Sequence, residues 1–172
     1  MFSQNKLTAL VVVTLMAVAT CEASSCAHQA QGHRYLALNN RCYIELTTDA
    51  SWSESMLMCS RLFHGRLAYI EDEVTMETVK NWLRPESNAI RWWIGLLQVD
   101  TSDEPAGGWA WVNTDHSLNH WAKPIWRKNE PDDHGSPPQN CGCVCPVGDT
   151  WGACDQSCAN DTKLRAICET AD

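Results

Sequence analysis

The sequence predicts an α+β domain stapled by disulfides, and three observations carry that expectation. Two segments repeat apolar residues at helical spacing, several short apolar runs read as strands, and ten cysteines are spread over 172 residues. Side chains three and four apart share one helix face, whereas short runs rich in β-branched and aromatic residues suit a buried strand. Cysteine usage this high belongs to an oxidising compartment, where bridges reinforce the core. The length suits one domain.

Residues 1–23 read as a secretory signal and residues 24–172 as the domain, which makes the product secreted and extracellular. Lys6 gives the positive start, and Leu7 to Ala19 is an apolar run too short for a bilayer span of ~20 residues. Cleavage after Ala19 or after Ala23 satisfies the small-residue rule. The second site discards Cys21 and leaves an odd number of cysteines, so one thiol would stay free or bridge to a second copy. No later stretch is apolar enough to span a membrane.

Cys26 and Cys42 bracket a segment that a bridge could close as a hairpin, and Arg41 to Leu46 has strand character. Ser51 to Phe63 is predicted helical. Ser51 can cap it, Glu54 completes a capping box, and Trp52, Met56, Cys59 and Phe63 fall on one face as core. Gly65 could end it in a left-handed turn. Leu67 to Ile70 reads as a short strand. A second helix is predicted from Asp72 to Leu83, with Val74, Val79 and Trp82 or Leu83 inward. Trp92 to Leu97 is a buried strand, Trp109 to Val112 another, and Leu164 to Glu169 a closing one. Otherwise the stretch from Gln98 to Ser157 lacks regular periodicity, and irregular stretches that long in a compact domain are usually functional.

Within it lies Glu130-Pro131-Asp132-Asp133-His134-Gly135-Ser136. Three carboxylates in four residues repel one another unless a cation sits between them, and a hard, oxygen-preferring ion suits them. Pro131 has fixed φ and no donor, so it can aim Glu130 and Asp132 into one space. The bland alternative is a solvated acidic turn. Net charge of −8 argues against nucleic acid as a partner. No nucleophile–base pair, phosphate loop or zinc-protease motif is present, so an enzyme is not expected. The nine tryptophans could build a core or face a ligand. Cys141-x-Cys143-x-Cys145 could suggest zinc, but in a secreted chain extra disulfides are the expectation. His116 and His120 are four apart, yet nothing there reads as helix. Asn160-Asp161-Thr162 is a glycosylation sequon, which predicts glycan on Asn160.

Several short motifs occur in a telling order. They are Cys42-Tyr43, Trp52 with Cys59, Gly65-x-Leu67-Ala68-x-Ile70-Glu71, Trp93-Ile94-Gly95-Leu96, Trp109-x-Trp111, Trp126-x-x-x-Glu130-Pro131 and Ile167-Cys168-Glu169. In that order they resemble the C-type lectin-like domain family, over about residues 26–169. The acidic run is similar to the calcium loop of mannose-binding proteins, which carry Asn where this chain has Asp132.

The resemblance implies two helices flanking two small antiparallel sheets, topped by a long loop region. It implies bridges Cys26–Cys42, Cys59–Cys168 and Cys141–Cys158 (or Cys141–Cys154). It implies one Ca²⁺ held by Glu130, Asp132, Gln139 and Asp155, with two adjacent sugar hydroxyls completing the shell. Asp133 would be an auxiliary calcium ligand, and His134 could lie against a sugar ring. Asp100, Asp103 and Glu104 stand where a second ion finds partners in the family, but with different spacing they read as a solvated acidic loop. The chain departs from the family pattern at Asp132, at Gln139 where Glu is usual, and at Cys154 where Asn is usual. Asp132 can only accept and Gln139 can donate, so the two exchanges could offset each other around one hydroxyl. The implied function is calcium-dependent binding of cell-surface or microbial glycans in innate recognition, with mannose-type and galactose-type ligands both open. The alternative is a lectin-like domain that binds protein, or a matrix or mineral surface, without sugar.

Overall fold

The computed structural model describes residues 25–83, 90–113, 115, 117–147 and 150–171. The signal reading of residues 1–23 and His116 of the histidine pair lie outside them. Among the described residues no helix is long and apolar enough to cross a membrane.

Helix α1 (Trp52–Phe63) starts on a reciprocal capping box: Ser51 Oγ accepts the Glu54 N–H, and the Glu54 carboxylate accepts the Ser51 N–H at 2.9 Å. Its buried face is Trp52, Ser55, Met56, Cys59 and Phe63. The helix ends on His64 at φ 52°, one residue before the glycine expected to make that turn. Gly65 answers a different need, because a Cβ there would lie 2.3 Å from the Glu169 carbonyl oxygen. Helix α2 (Glu73–Leu83) is capped by Asp72, whose carboxylate accepts the Thr75 N–H at 2.8 Å. It buries Thr75, Met76, Val79 and Leu83, while Val74, expected inward, is 70% exposed. Val79 and Leu83 face inward as expected, and in the first turn Thr75 and Met76, four and three residues before Val79, take the core positions in place of Val74.

The strands are β1 (Tyr35–Leu38), β2 (Arg41–Ala50), β3 (Arg66–Leu67), β4 (Trp92–Gln98), β5 (Trp109–Val112), β6 (Leu118–Trp121), β7 (Cys141–Val147), β8 (Thr150–Gln156) and β9 (Leu164–Ala171). Pairing runs β1-β2-β9-β4-β5-β6, with β3 on β9, β7 on β4 and β8 on β7. All nine belong to one sheet, and strand β4 joins its parts: it runs parallel to β9 at Trp92 and Trp93 and antiparallel to β5 and β7. Strands β6, β7 and β8 fall in the stretch expected to be irregular. Strand β7 buries Cys141, Cys143, Val144 and Cys145 on both faces, so no alternation marks it in the sequence.

Five tryptophans go to the core: Trp52, Trp92, Trp93, Trp109 and Trp111 are each at most 5% exposed. Burial leaves an indole N–H to satisfy. Trp52 donates to Ile94 O at 2.9 Å, Trp92 to Glu45 Oε1 at 2.9 Å, Trp93 to Ala50 O at 2.8 Å and Trp109 to Pro105 O at 2.9 Å. Bridges join Cys26–Cys42, Cys59–Cys168, Cys141–Cys158 and Cys145–Cys154, and Cys143 stays a buried thiol.

Candidate functional site

The site begins with backbone pairing. Ala153 of β8 donates to Ile125 O at 2.8 Å and accepts the Arg127 N–H at 2.9 Å, which lays the 125–127 segment along that strand. Gly152 permits the approach: a Cβ there would meet Arg127 N at 2.5 Å. The Glu130 N–H then closes a turn on Arg127 O at 3.0 Å, with Asn129 at φ 69°. Beyond the turn the chain meets Asp155, two residues further along β8.

Asp155 is 3% exposed and organises the acidic loop. Its Oδ1 accepts the Asp132 N–H at 3.1 Å and its Oδ2 accepts the Asp133 N–H at 2.7 Å. The carboxylates of Glu130, Asp132 and Asp155 thereby converge, each offering an oxygen within 4.8 Å of the others. Asp132 Oδ1 accepts the His134 N–H at 3.0 Å, and Oδ2 lies 3.0 Å from His134 Nδ1. The His134 ring is 85% exposed, free to meet a ligand from solvent.

The other two expected ligands hold the loop shut. Asp133 Oδ1 accepts the Gln139 N–H at 2.7 Å, and the Gln139 side chain donates to Gln156 Oε1 at 3.0 Å. The amide of Gln139 is thus engaged with Gln156, beside Asp155. Asp100 accepts the Ser102 N–H of its own loop at 2.9 Å, and Asp100, Asp103 and Glu104 are all exposed. Among the described residues the other group with metal-ligand spacing is Cys143, Cys145 and Cys154, two of which form a bridge. Asn160 sits exposed in a turn, accessible to glycosylation.

Charge in the acidic cluster is uneven. Burial, then the hydrogen bond shared with Asp155, pushes the Glu130 carboxyl up to about 6. Burial works against ionised Asp132 too, but the backbone and ring of His134 outweigh it and hold that carboxyl below its ordinary value. The same contact raises His134. Beside them stands a group the sequence reading did not single out. Arg127 pairs its guanidinium with Glu130 Oε1. One basic residue after a tryptophan reads as surface; only the i,i+3 spacing to Glu130 hinted at the contact.

Three clustered carboxylates fit a hard divalent cation, which takes six to eight oxygens and accepts Asp, Glu and amide carbonyl ligands. A carboxylate oxygen that accepts one N–H keeps a lone pair for a metal.

No family model matches the chain. Over 123 residues it is 30% identical to human C-type lectin domain family 4 member D, which is 71% of this chain and 51% of that protein. The chain therefore spans about half the length of the curated relative it matches. Among solved structures it is similar to the C-type lectin domain of murine dendritic cell inhibitory receptor 2, in complex with N-glycan. That likeness has a TM-score of 0.63 at 22% identity and covers 80% of this chain and 96% of that one. It is similar as well to SPL-2, a Ca²⁺-independent C-type lectin from Saxidomus purpuratus, with a TM-score of 0.60 at 17% identity over 79% of this chain and 90% of that one. The capped helices, the sheet joined through β4, the bridged loop region and these likenesses give the chain the C-type lectin fold and make it a homologue of a C-type lectin domain protein.

Proposed function

We propose that this chain is a secreted, non-catalytic, calcium-dependent carbohydrate-binding module, with residues 1–23 as its leader and residues 24–172 as the binding domain. The observation that carries the reading is the convergence of Glu130, Asp132 and Asp155 over β8. Bound there, Ca²⁺ would supply a hard electrophilic centre for two vicinal sugar hydroxyls. The chain's own residues do the rest. Asp155 positions the loop through two backbone N–H groups, Glu130 and Asp132 offer acceptor oxygens, and His134 stands exposed beside them. Gln139 donates its amide N–H to Gln156 and keeps its amide oxygen as the atom that would ligate the ion. The murine domain solved with N-glycan supports a glycan as the ligand class. Asn160 would carry glycan of its own.

A glycan array read with calcium and with EDTA tests the reading. Binding to at least one glycan class in calcium, lost in EDTA, is the expected outcome. Binding that EDTA does not touch, or none at all, would contradict it. A second reading has its own support. Arg127 already neutralises Glu130, and SPL-2 is a related fold that is Ca²⁺-independent, so recognition without the ion is the alternative. A double-mutant cycle of Asp132→Asn and Gln139→Glu on glycan affinity separates a shared hydroxyl from two independent residues. Coupling of ~0.5–3 kcal/mol is expected if they share one, and strict additivity would show they do not.

A further inference from the structure

We infer that Arg127 is a tethered counter-ion that competes with calcium for Glu130 and sets how much calcium the site requires; this rests on the calcium reading above. Backbone bonds to Ala153 and the close approach of Gly152 fix where Arg127 leaves the chain. Its guanidinium is delivered onto Glu130 Oε1 at a site where the two side chains are only 18% and 6% exposed. A guanidinium does not lose its proton, so Glu130 always faces a full positive charge. That charge offsets one of the three carboxylates and lowers the pull on a second cation.

The hold is incomplete. Among the described residues Arg127 Nε is buried without a hydrogen-bond partner, so that nitrogen adds no bond to hold the guanidinium against a competing cation. A divalent ion that ligates Glu130 must displace it or bind against its field. Without the ion, Arg127 keeps three clustered carboxylates from forcing the loop open. With the ion, the pair is broken and the loop is held through the metal. One residue thus stabilises the empty site and weakens the filled one.

The experiment is calcium titration by calorimetry, with melting temperatures in EDTA, on the full chain as wild type, Arg127→Gln and Lys128→Gln. Lys128 is the exposed neighbour and loses the same formal charge. Arg127→Gln should tighten calcium binding at least about threefold, the scale on which an ordinary ion pair handicaps a competitor. It should also melt lower in EDTA, a combination that simple loss of packing would not give. Lys128→Gln should leave calcium affinity within about twofold, because exposed charge is screened. Equal or weaker calcium binding by Arg127→Gln, with wild type still binding, overturns the inference and leaves the calcium reading intact. Tightening by Lys128→Gln to the same extent overturns it as well, since any nearby charge would then suffice. Calcium bound by Arg127→Gln but not by wild type upholds the inference and removes the calcium-dependent reading. Binding by neither removes both. Should the glutamine variant not fold, Arg127→Met keeps the apolar stem and is judged by the same outcomes.

Discussion

At the residue scale Asp155 holds the site together. It is the buried member of the acidic cluster, and both of its oxygens hold backbone N–H groups of the loop above it. Asp155→Asn keeps the shape but turns one acceptor into a donor facing an N–H. That should cost ~1–3 kcal/mol in urea denaturation, the scale of a buried group left unsatisfied, and should abolish the response to calcium. Cys143 makes a second prediction. Burial pushes its thiol well above the usual range, and it is fully buried. Iodoacetamide should leave the 141–147 peptide unlabelled in the native protein and label Cys143 there in denaturant. Labelling under native conditions would mean that the β7–β8 ladder opens.

At the element scale the site depends on how one segment lies on β8. Gly152→Ala would drive a methyl group into the Arg127 backbone. Overpacking of this kind costs ~1–3 kcal/mol, and here it should lower thermal stability and glycan binding together, because the displaced segment carries Glu130. The helix caps set the response to acid. Hydrogen bonds from Thr75 hold Asp72 below its ordinary value, and the contact with Lys163, then those with Ser51, bring Glu54 to about 2. Carboxyls depressed in the fold contribute stability that is present above their unfolded values and lost as pH falls through the folded ones. Helix content followed by circular dichroism should therefore hold down to about pH 4 and decline toward pH 2. A Ser51→Ala variant should start ~1 kcal/mol less stable at neutral pH.

At the scale of the whole molecule, bridges tie together parts far apart in sequence. Cys59–Cys168 links α1 to β9 across 109 residues, and its removal should cost ~2–5 kcal/mol by reversible unfolding. Much of this architecture was legible beforehand. The first helix declared itself through its capping box and apolar stripe, the second through its apolar spacing, and Trp92 to Leu97 through an unbroken apolar run. What stayed hidden has physical reasons. Strands β7 and β8 are buried on both faces and held by sulfur, so they show neither alternation nor ordinary strand composition. The left-handed turn fell on His64 because Gly65 was needed where Glu169 passes close. Within the site, Glu130 and Asp132 were visible as crowded charge. Asp155 was reachable only by resemblance, since the loop it anchors lies more than twenty residues earlier. Arg127 showed only as an i,i+3 neighbour of Glu130, because the contact itself is set by the pairing of 125–127 with Ala153, which no local pattern encodes.

The most direct test of the central claim, that Glu130, Asp132 and Asp155 hold calcium, is the melting temperature of the wild-type domain in EDTA and in 10 mM calcium. With affinity of ~10⁻⁴–10⁻³ M, the usual range for extracellular calcium modules, that concentration should stabilise the fold by ~1.4–2.7 kcal/mol. For a domain of this size the melting temperature should rise by about 3–10 °C. The rise should vanish in Asp155→Asn. An unchanged melting temperature in the wild type, or a rise that survives the substitution, would contradict the claim.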